Sequence, residues 1–170
     1  IKRVSLVNEY YPLSQSFLVK KFRTYFKMYF TSDLQIRHIA DGLITRTLPK
    51  SEWTHAAHFA AAAWLMASDN HHAFSEMPKL IRAYNESTGT PNTKSEGYHE
   101  TITIASLRAT SSVLASAPED QPLYEVVNRL LQSELGEPNW LLNYWSKDRL
   151  YSADARERWI EPDLAPVPYD

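Results

Sequence analysis

Apolar residues recur at intervals of three and four along most of the chain, which is the spacing of one buried helical face. The pattern predicts five helices, with ends marked by capping and terminating residues. They cover residues 33–48, the stretch from a cap at Ser51 or Thr54 to residue 67, the stretch from a cap at Ser75 to Gly89, residues 98–115, and the stretch from residue 123 to Gly136.

The second predicted helix differs from the others in the size of its side chains. Six alanines, at positions 56, 57, 60, 61, 62 and 63, place small groups on every face, and Trp64, Leu65 and Met66 follow at its far end. A helix that is apolar or small on all sides is typical of a central position. We therefore expect its neighbours to approach it closely.

Beyond Gly136 the chain becomes aromatic. Trp140, Trp145 and Trp159 fall within 20 residues, and several prolines follow them. Large aromatic side chains in this density favour docking onto the bundle rather than exposure to solvent. The sequence thus predicts an all-α fold, a single-domain bundle of about five helices with an aromatic, partly extended C-terminal tail. A length of 170 residues fits one domain with a real core.

Residues 1–30 differ from the rest in charge and composition. They carry six Lys or Arg against one acid, whereas residues 31–170 carry 12 bases against 19 acids. Leu18, Phe22, Tyr25 and Tyr29 share helical spacing beside a basic stripe. Three interpretations remain open: a helix that contacts membranes or a partner, a helix packed on the acidic body, or translated upstream sequence outside the native protein. We divide the chain into this extension and a helical domain, 31–170.

The overall composition excludes several classes of protein. The acidic body argues against nucleic acid as a partner, because phosphate binding depends on clustered Lys and Arg. The absence of cysteine excludes disulfides and thiolate metal sites, and it fits a cytoplasmic location. No apolar run approaches the ~20 residues that span a bilayer. Membrane contact is therefore expected only through residues 1–30, if these are native.

Candidate chemistry is concentrated at the starts of the second and fourth helices. His55 and His58 are three residues apart and so share one helical face. His99 begins another helix, and we expect the two helix starts to meet. Together with Glu100 these residues predict a site for one divalent metal ion, Zn²⁺ for three imidazoles or Fe²⁺ or Mn²⁺ for imidazoles with a carboxylate. Glu100 would act as a fourth ligand or general base, and Tyr98 would donate a hydrogen bond to a substrate.

The same residues support a second interpretation without catalysis. Histidines at helix starts also serve as caps and as hydrogen-bonding groups at the edge of a core, and Glu100 in a first turn offsets the helix dipole. We therefore keep two hypotheses, a metal-dependent enzyme acting on a small molecule and a non-catalytic helical module for a small ligand or a protein partner. The sequence does not decide the oligomeric state.

Several short runs of this chain form a recognisable set. They are W-T-H-A-A-H at 53–58, Y-N-E at 84–86, G-Y-H-E-T-I-T at 97–103, Y-W-S-K-D-R-L at 144–150 and W-I-E-P-D-L at 159–164. From residue 33 to 166 the chain resembles a family of small, uncharacterised, all-helical bacterial proteins with a T-H-x-x-H … G-Y-H-E-T-I-T pattern. The resemblance implies a native start near Met28, and it implies no particular reaction.

Overall fold

The computed structural model describes residues 27–68 and 71–169, and these ranges contain helices and loops but no strand. Five long helices form the bundle, and two short helices lie in the C-terminal segment, residues 137–169. They are α1 (Asp33–Thr45), α2 (His55–Ala67), α3 (Ala73–Ser87), α4 (Glu100–Ala115), α5 (Leu123–Leu131), α6 (Lys147–Leu150) and α7 (Ala153–Glu157). The prediction of an all-helical, single-domain bundle is confirmed.

The alanine-rich helix α2 lies at the centre of the bundle, as its composition predicts. It packs against α1, α3, α4 and α5. Its alanines at 57, 60, 61, 62 and 63 are buried, as are Phe59 and Leu65. Small side chains on all sides let four helices approach one axis, since a larger residue would hold each neighbour away. Its first turn is only partly buried, with Ala57 in the core and His55 and His58 at the edge of it.

Helix α1 ends three residues before the predicted limit. Arg46 adopts a left-handed backbone conformation, with φ of 61°, and reverses the chain. The N–H groups of Thr47 and Leu48 then donate to the carbonyl of Gly42 at 2.9 and 3.1 Å. A Cβ atom at Gly42 would lie 2.9 Å from the Cβ of Leu48, so the glycine makes this return possible. Leu48 is thereby buried in the core.

Helix α3 begins at Ala73, earlier than the predicted cap at Ser75. The reason is the side chain of Glu76, which accepts hydrogen bonds from the backbone N–H of His72 at 3.1 Å and from Nδ1 of His71 at 2.8 Å. These bonds fix the start of the helix and use donors that have no intrahelical partner. The carboxylate of Glu76 is stabilised as well, because its bond to His71 lowers its pKa.

The first described residues belong to the helical body. Oδ1 of Asn128 accepts from the backbone N–H groups of Tyr29 and Phe30 at 3.0 and 3.1 Å, and its Nδ2 donates to the carbonyl of Phe30 at 2.6 Å. Contacts with the bundle thus begin just before the predicted boundary at residue 31. Most of the predicted basic aromatic helix lies outside the described residues. Within those residues, no helix has the length and apolar character needed to cross a membrane.

The C-terminal segment docks on the bundle, as its aromatic content predicts. Trp145 is fully buried and Trp140 is 2% exposed. Nε1 of Trp145 donates to the carbonyl of Ile160 at 3.1 Å, and its ring meets Trp159 edge to face at 5.6 Å. Residues 158–169 run without a helix over this aromatic cluster. The segment is therefore part of the core rather than an appendage.

Candidate functional site

The first turn of α2 holds two of the predicted site histidines. Thr54 caps the helix, with its hydroxyl accepting from the N–H of Ala57 at 3.3 Å. His55 is the first helical residue, and His58 follows one turn later. Both side chains line a cavity of about 320 Å³, as their shared helical face predicts. The structure therefore brings this pair together.

His55 is tied to the loop that follows α5. Its Nε2 lies 2.7 Å from the carbonyl oxygen of Leu135. Because a carbonyl can only accept, Nε2 carries a proton and donates this hydrogen bond. The ring also meets Phe59 edge to face at 5.2 Å. His55 thus fastens a later part of the chain to the start of α2.

His58 has the opposite tautomer. Its Nδ1 lies 2.7 Å from the carbonyl of Thr54, so Nδ1 carries the proton and Nε2 is left as an acceptor. The ring lies against Trp53, with the two ring centres 3.9 Å apart. Burial among these groups lowers the pKa of His58 to about 4, although the hydrogen bond to Thr54 opposes the change. The imidazole is therefore neutral at pH 7.

His99 caps α4 and is buried, with 7% of its surface exposed. Its Nδ1 accepts from the N–H of Ile102 at 3.4 Å, and its Nε2 donates to the carbonyl of Leu150 at 2.9 Å. Burial lowers its pKa to about 4, so this ring is also neutral at pH 7. Both ring nitrogens are engaged with the backbone, which gives His99 the structural role of the second hypothesis.

Tyr98 and Glu100 face each other beside Arg82. The phenol of Tyr98 donates to Oε2 of Glu100 at 2.8 Å, and the guanidinium of Arg82 lies 3.9 Å from the centre of the Tyr98 ring. Nη2 of Arg82 is also 3.9 Å from Oε2 of Glu100. Burial and then the bond to Glu100 raise the pKa of Tyr98 well above its usual value of 10. The phenol therefore remains protonated.

The predicted site residues are distributed over two neighbouring cavities. His55 and His58 line the first, whereas His58, Tyr98 and His99 line the second, which measures about 450 Å³. Glu100 lines neither of them. Within residues 27–68 and 71–169, no group of three or more His, Asp or Glu side chains is arranged to hold a metal ion. The metal site at His55, His58, His99 and Glu100 stays a prediction.

The first cavity is enclosed largely by apolar side chains from three helices and the C-terminal segment. The apolar wall consists of Phe59 and Ala62 of α2, Met77 and Ile81 of α3, Ile102 and Leu107 of α4, and Pro138, Trp140, Leu141, Leu142 and Leu150. The residues from 138 onward were not predicted as site residues. The aromatic pattern around Trp140 indicates docking, but it does not indicate which surface is covered.

The distinctive run at residues 97–103 receives the C-terminal segment. Thr101 is fully buried, and its hydroxyl donates to the carbonyl of Arg158 at 2.8 Å and accepts from the N–H of Ile160 at 3.2 Å. Nη1 of Arg156 donates to the carbonyls of Gly97 and Tyr98, each at 3.1 Å. The start of α4 therefore holds the tail in place, and the run has a structural explanation independent of catalysis.

No family model matches the chain, and no curated protein or solved structure matches it. The resemblance to a bacterial family stays a prediction for that reason. The cavities and the side chains that surround them are accordingly the basis on which a function is assigned.

Proposed function

We propose that this protein is a non-catalytic helical module that binds a small, largely apolar molecule in the first cavity. The supporting observation is the cavity of about 320 Å³ between α2, α3, α4 and the C-terminal segment. Pockets that bind small molecules are concave, mostly apolar and furnished with a few polar groups that fix the orientation of the ligand. This cavity has that composition, with His55 and His58 among its few polar groups.

The positions of the other candidate residues favour binding over catalysis. Glu100, the candidate base, is engaged by Tyr98 and Arg82 and lines neither cavity. A general base must lie within hydrogen-bonding reach of the proton that it removes. His99 is occupied on both nitrogens by backbone groups. His55 and His58 thus remain as polar groups for a bound molecule, and neither has a carboxylate partner among the hydrogen bonds described.

The proposal is tested by filling the cavity. Ala62 lines it, so Ala62→Met places a longer side chain in the space, whereas Ala67→Met adds the same bulk at an exposed position of α2. Indene is a suitable apolar probe. We expect calorimetry to give a Kd at or below about 1 mM for the unmodified protein, equivalent to about −4 kcal/mol.

The two variants give the decisive comparison. Ala67→Met should bind indene as the unmodified protein does, and Ala62→Met should bind it at least about tenfold more weakly, a difference of about 1.4 kcal/mol. Melting temperatures should rise with indene concentration only where binding is retained. Absence of binding by the unmodified protein, or equal binding by all three proteins, would contradict the proposal.

A metal-dependent enzyme is the second candidate. One observation favours it: His55 and His58 line the same cavity, and imidazole is a common metal ligand. Recruitment of His99 or Glu100 would require each to leave its present partners. Elemental analysis of protein purified without an affinity tag should then show near-stoichiometric Zn, Fe or Mn, and His58→Ala should lose it. Metal-free protein after growth in metal-replete medium would count against this candidate.

The remaining expectations concern location and partners. A chain without cysteine suits a reducing compartment, and on this basis a cytoplasmic location is proposed. The acidic helical body makes nucleic acid an unsuitable partner. A bacterial origin depends on the resemblance alone.

A further inference from the structure

The position of His58 between the two cavities indicates which chemical group of a ligand would be recognised. His58, Ile81, Ile102 and Thr103 line both cavities, so the imidazole stands where the first opens toward the second. A molecule that fills the apolar space therefore passes or touches this ring. Two of these four residues are polar, and because Thr103 already forms a hydrogen bond with Tyr98, His58 is the candidate for recognising a polar group of the ligand.

The ring presents an acceptor rather than a donor. Its Nδ1 proton is committed to the carbonyl of Thr54 at 2.7 Å. No described residue forms a hydrogen bond with Nε2, and this atom is not among the buried polar atoms that lack a partner. Nε2 therefore has accessible surface. A neutral imidazole nitrogen of this kind accepts one hydrogen bond.

The wall of the first cavity restricts the charge of the ligand. Among the described residues that line it there is no Lys, Arg, Asp or Glu. An ion in such an environment would lose its hydration without gaining a partner, which is strongly unfavourable. A neutral molecule is therefore favoured over a carboxylate, a phosphate or an amine cation.

Size and shape restrict the ligand further. The volume of about 320 Å³ is about twice that of an apolar cavity of ~150 Å³ known to hold benzene. Phe59 and Trp140 provide aromatic surface on two sides, where ring edges and faces make favourable contacts. The dimensions suit a molecule of about two fused rings.

We infer that the ligand is a neutral, apolar molecule about the size of two fused rings that carries one hydrogen-bond donor, a hydroxyl or N–H group, which Nε2 of His58 accepts. This inference rests on the proposed binding function and specifies its ligand class. His58 is then the residue that determines specificity, since the apolar wall cannot distinguish a donor-bearing molecule from its hydrocarbon analogue.

Two probes of the same shape test this inference. Indole and indene are both fused bicycles, and indole alone carries an N–H donor. A buried hydrogen bond between neutral groups changes affinity by up to about tenfold. We expect calorimetry to show that indole binds about three- to tenfold more tightly than indene.

The variants separate the role of His58 from a general effect of losing a histidine. In His58→Leu the preference for indole should vanish while indene still binds, and in His58→Gln, which keeps an acceptor oxygen, part of the preference should return. His38→Leu is the matched control, because His38 is exposed on α1 and lines neither cavity. Its preference for indole should equal that of the unmodified protein.

A spectroscopic measurement covers the case in which His58→Leu fails to fold. In ¹⁵N-labelled unmodified protein, the Nε2 resonance of His58 should shift on addition of indole and remain in place on addition of indene. If both probes bind equally and neither shifts Nε2, the inference is overturned while the binding function stands. If neither probe binds, the binding function fails and the inference fails with it.

Discussion

The starts of α2 and α4 each carry a buried or partly buried histidine, but the two side chains perform different tasks. His58, in the first turn of α2, bonds a backbone carbonyl through Nδ1 only. His99, the cap of α4, forms hydrogen bonds to backbone groups through both ring nitrogens. The difference arises from what packs opposite each helix start. An open space lies beside α2, and the C-terminal segment lies against α4. The local sequence puts a histidine at a helix start, but the residues packed against it determine which of its ring nitrogens form hydrogen bonds.

The largest expected effect concerns pH, which acts on both helix starts. The pKa values of His58 and His99 are lowered from 6.5 to about 4 in the folded protein. Between these values the unfolded chain binds protons that the folded protein does not, so the free energy of unfolding falls as pH falls from 6.5 toward 4. We expect a loss on the order of 1 kcal/mol per pH unit for each histidine.

Urea unfolding at pH 7, 6 and 5 measures this loss, which should reach about 3 kcal/mol for the two histidines together. His58→Leu and His99→Asn should each remove about half of the slope. The lowered pKa values of Glu76 and Asp163 act below their usual values of 4.5 and 3.8, so they do not account for a slope that begins above pH 6. A flat profile from pH 7 to 5 would show that the histidines are not desolvated.

The next largest effect is expected at Thr101, which holds the C-terminal segment against the start of α4. Thr101→Val removes the hydroxyl that bonds Arg158 and Ile160 and leaves two partly buried backbone groups without these partners. We expect a cost of about 2–3 kcal/mol in the free energy of unfolding. Thr110→Val is the control, since Thr110 is equally buried on α4 but its hydroxyl bonds within the helix to Ser106. If Thr110→Val lowered the free energy of unfolding as much as Thr101→Val, the role of Thr101 in docking the C-terminal segment would be refuted.

A direct comparison of the two histidines should give a smaller but more specific effect. His99→Ala loses the cap of α4 and the bond to Leu150, which together cost about 2 kcal/mol. His99→Asn should recover about half of this, because Asn caps helices but is too short to reach Leu150. His58→Leu should change the free energy of unfolding at pH 7 by less than about 1 kcal/mol, since the lost bond to Thr54 lies at an exposed position where water can replace it. Equal losses in the free energy of unfolding for His58→Leu and His99→Ala would contradict the difference between the two histidines.

The smallest expected effect is a difference in tautomer between the histidines, which is observed by spectroscopy and involves no change in stability. Long-range ¹H–¹⁵N spectra at pH 7 should show His58 protonated on Nδ1, and His55 and His99 protonated on Nε2. The three rings thus report which nitrogen each helix start commits to the backbone. An Nε2-protonated His58 would reverse its role from acceptor to donor.

Much of the fold follows from the sequence because local signals agree with the tertiary structure. The alanines of α2 predict its central position, and Thr54 and His99 mark where two helices begin. The end of α1 and the start of α3 differ from the prediction because they depend on individual local contacts rather than on the hydrophobic pattern: the return of Leu48 against Gly42 and the reach of Glu76 back to His72. Such contacts do not appear in the spacing of apolar residues along the sequence.

Less of the candidate site could be predicted. The spacing of His55 and His58 puts both on one helical face, because helical geometry is local, and both line the first cavity. The partners of His99 and Glu100 were not predictable, since Leu150 is 51 residues from His99 along the chain. Nor could the sequence indicate that Trp140 and Leu141 would close the cavity. Closure depends on how the C-terminal segment packs, which no local pattern specifies.

The C-terminal cover of the cavity has a consequence for the kinetics of exchange. His55 holds the carbonyl of Leu135 and His99 holds that of Leu150, so the covering residues 138–142 lie between two fixed points. Because both ends are fixed, this stretch opens locally only when one of these two bonds breaks. Amide hydrogen exchange across residues 138–142 should therefore be slow, and it should become faster when either histidine bond is removed.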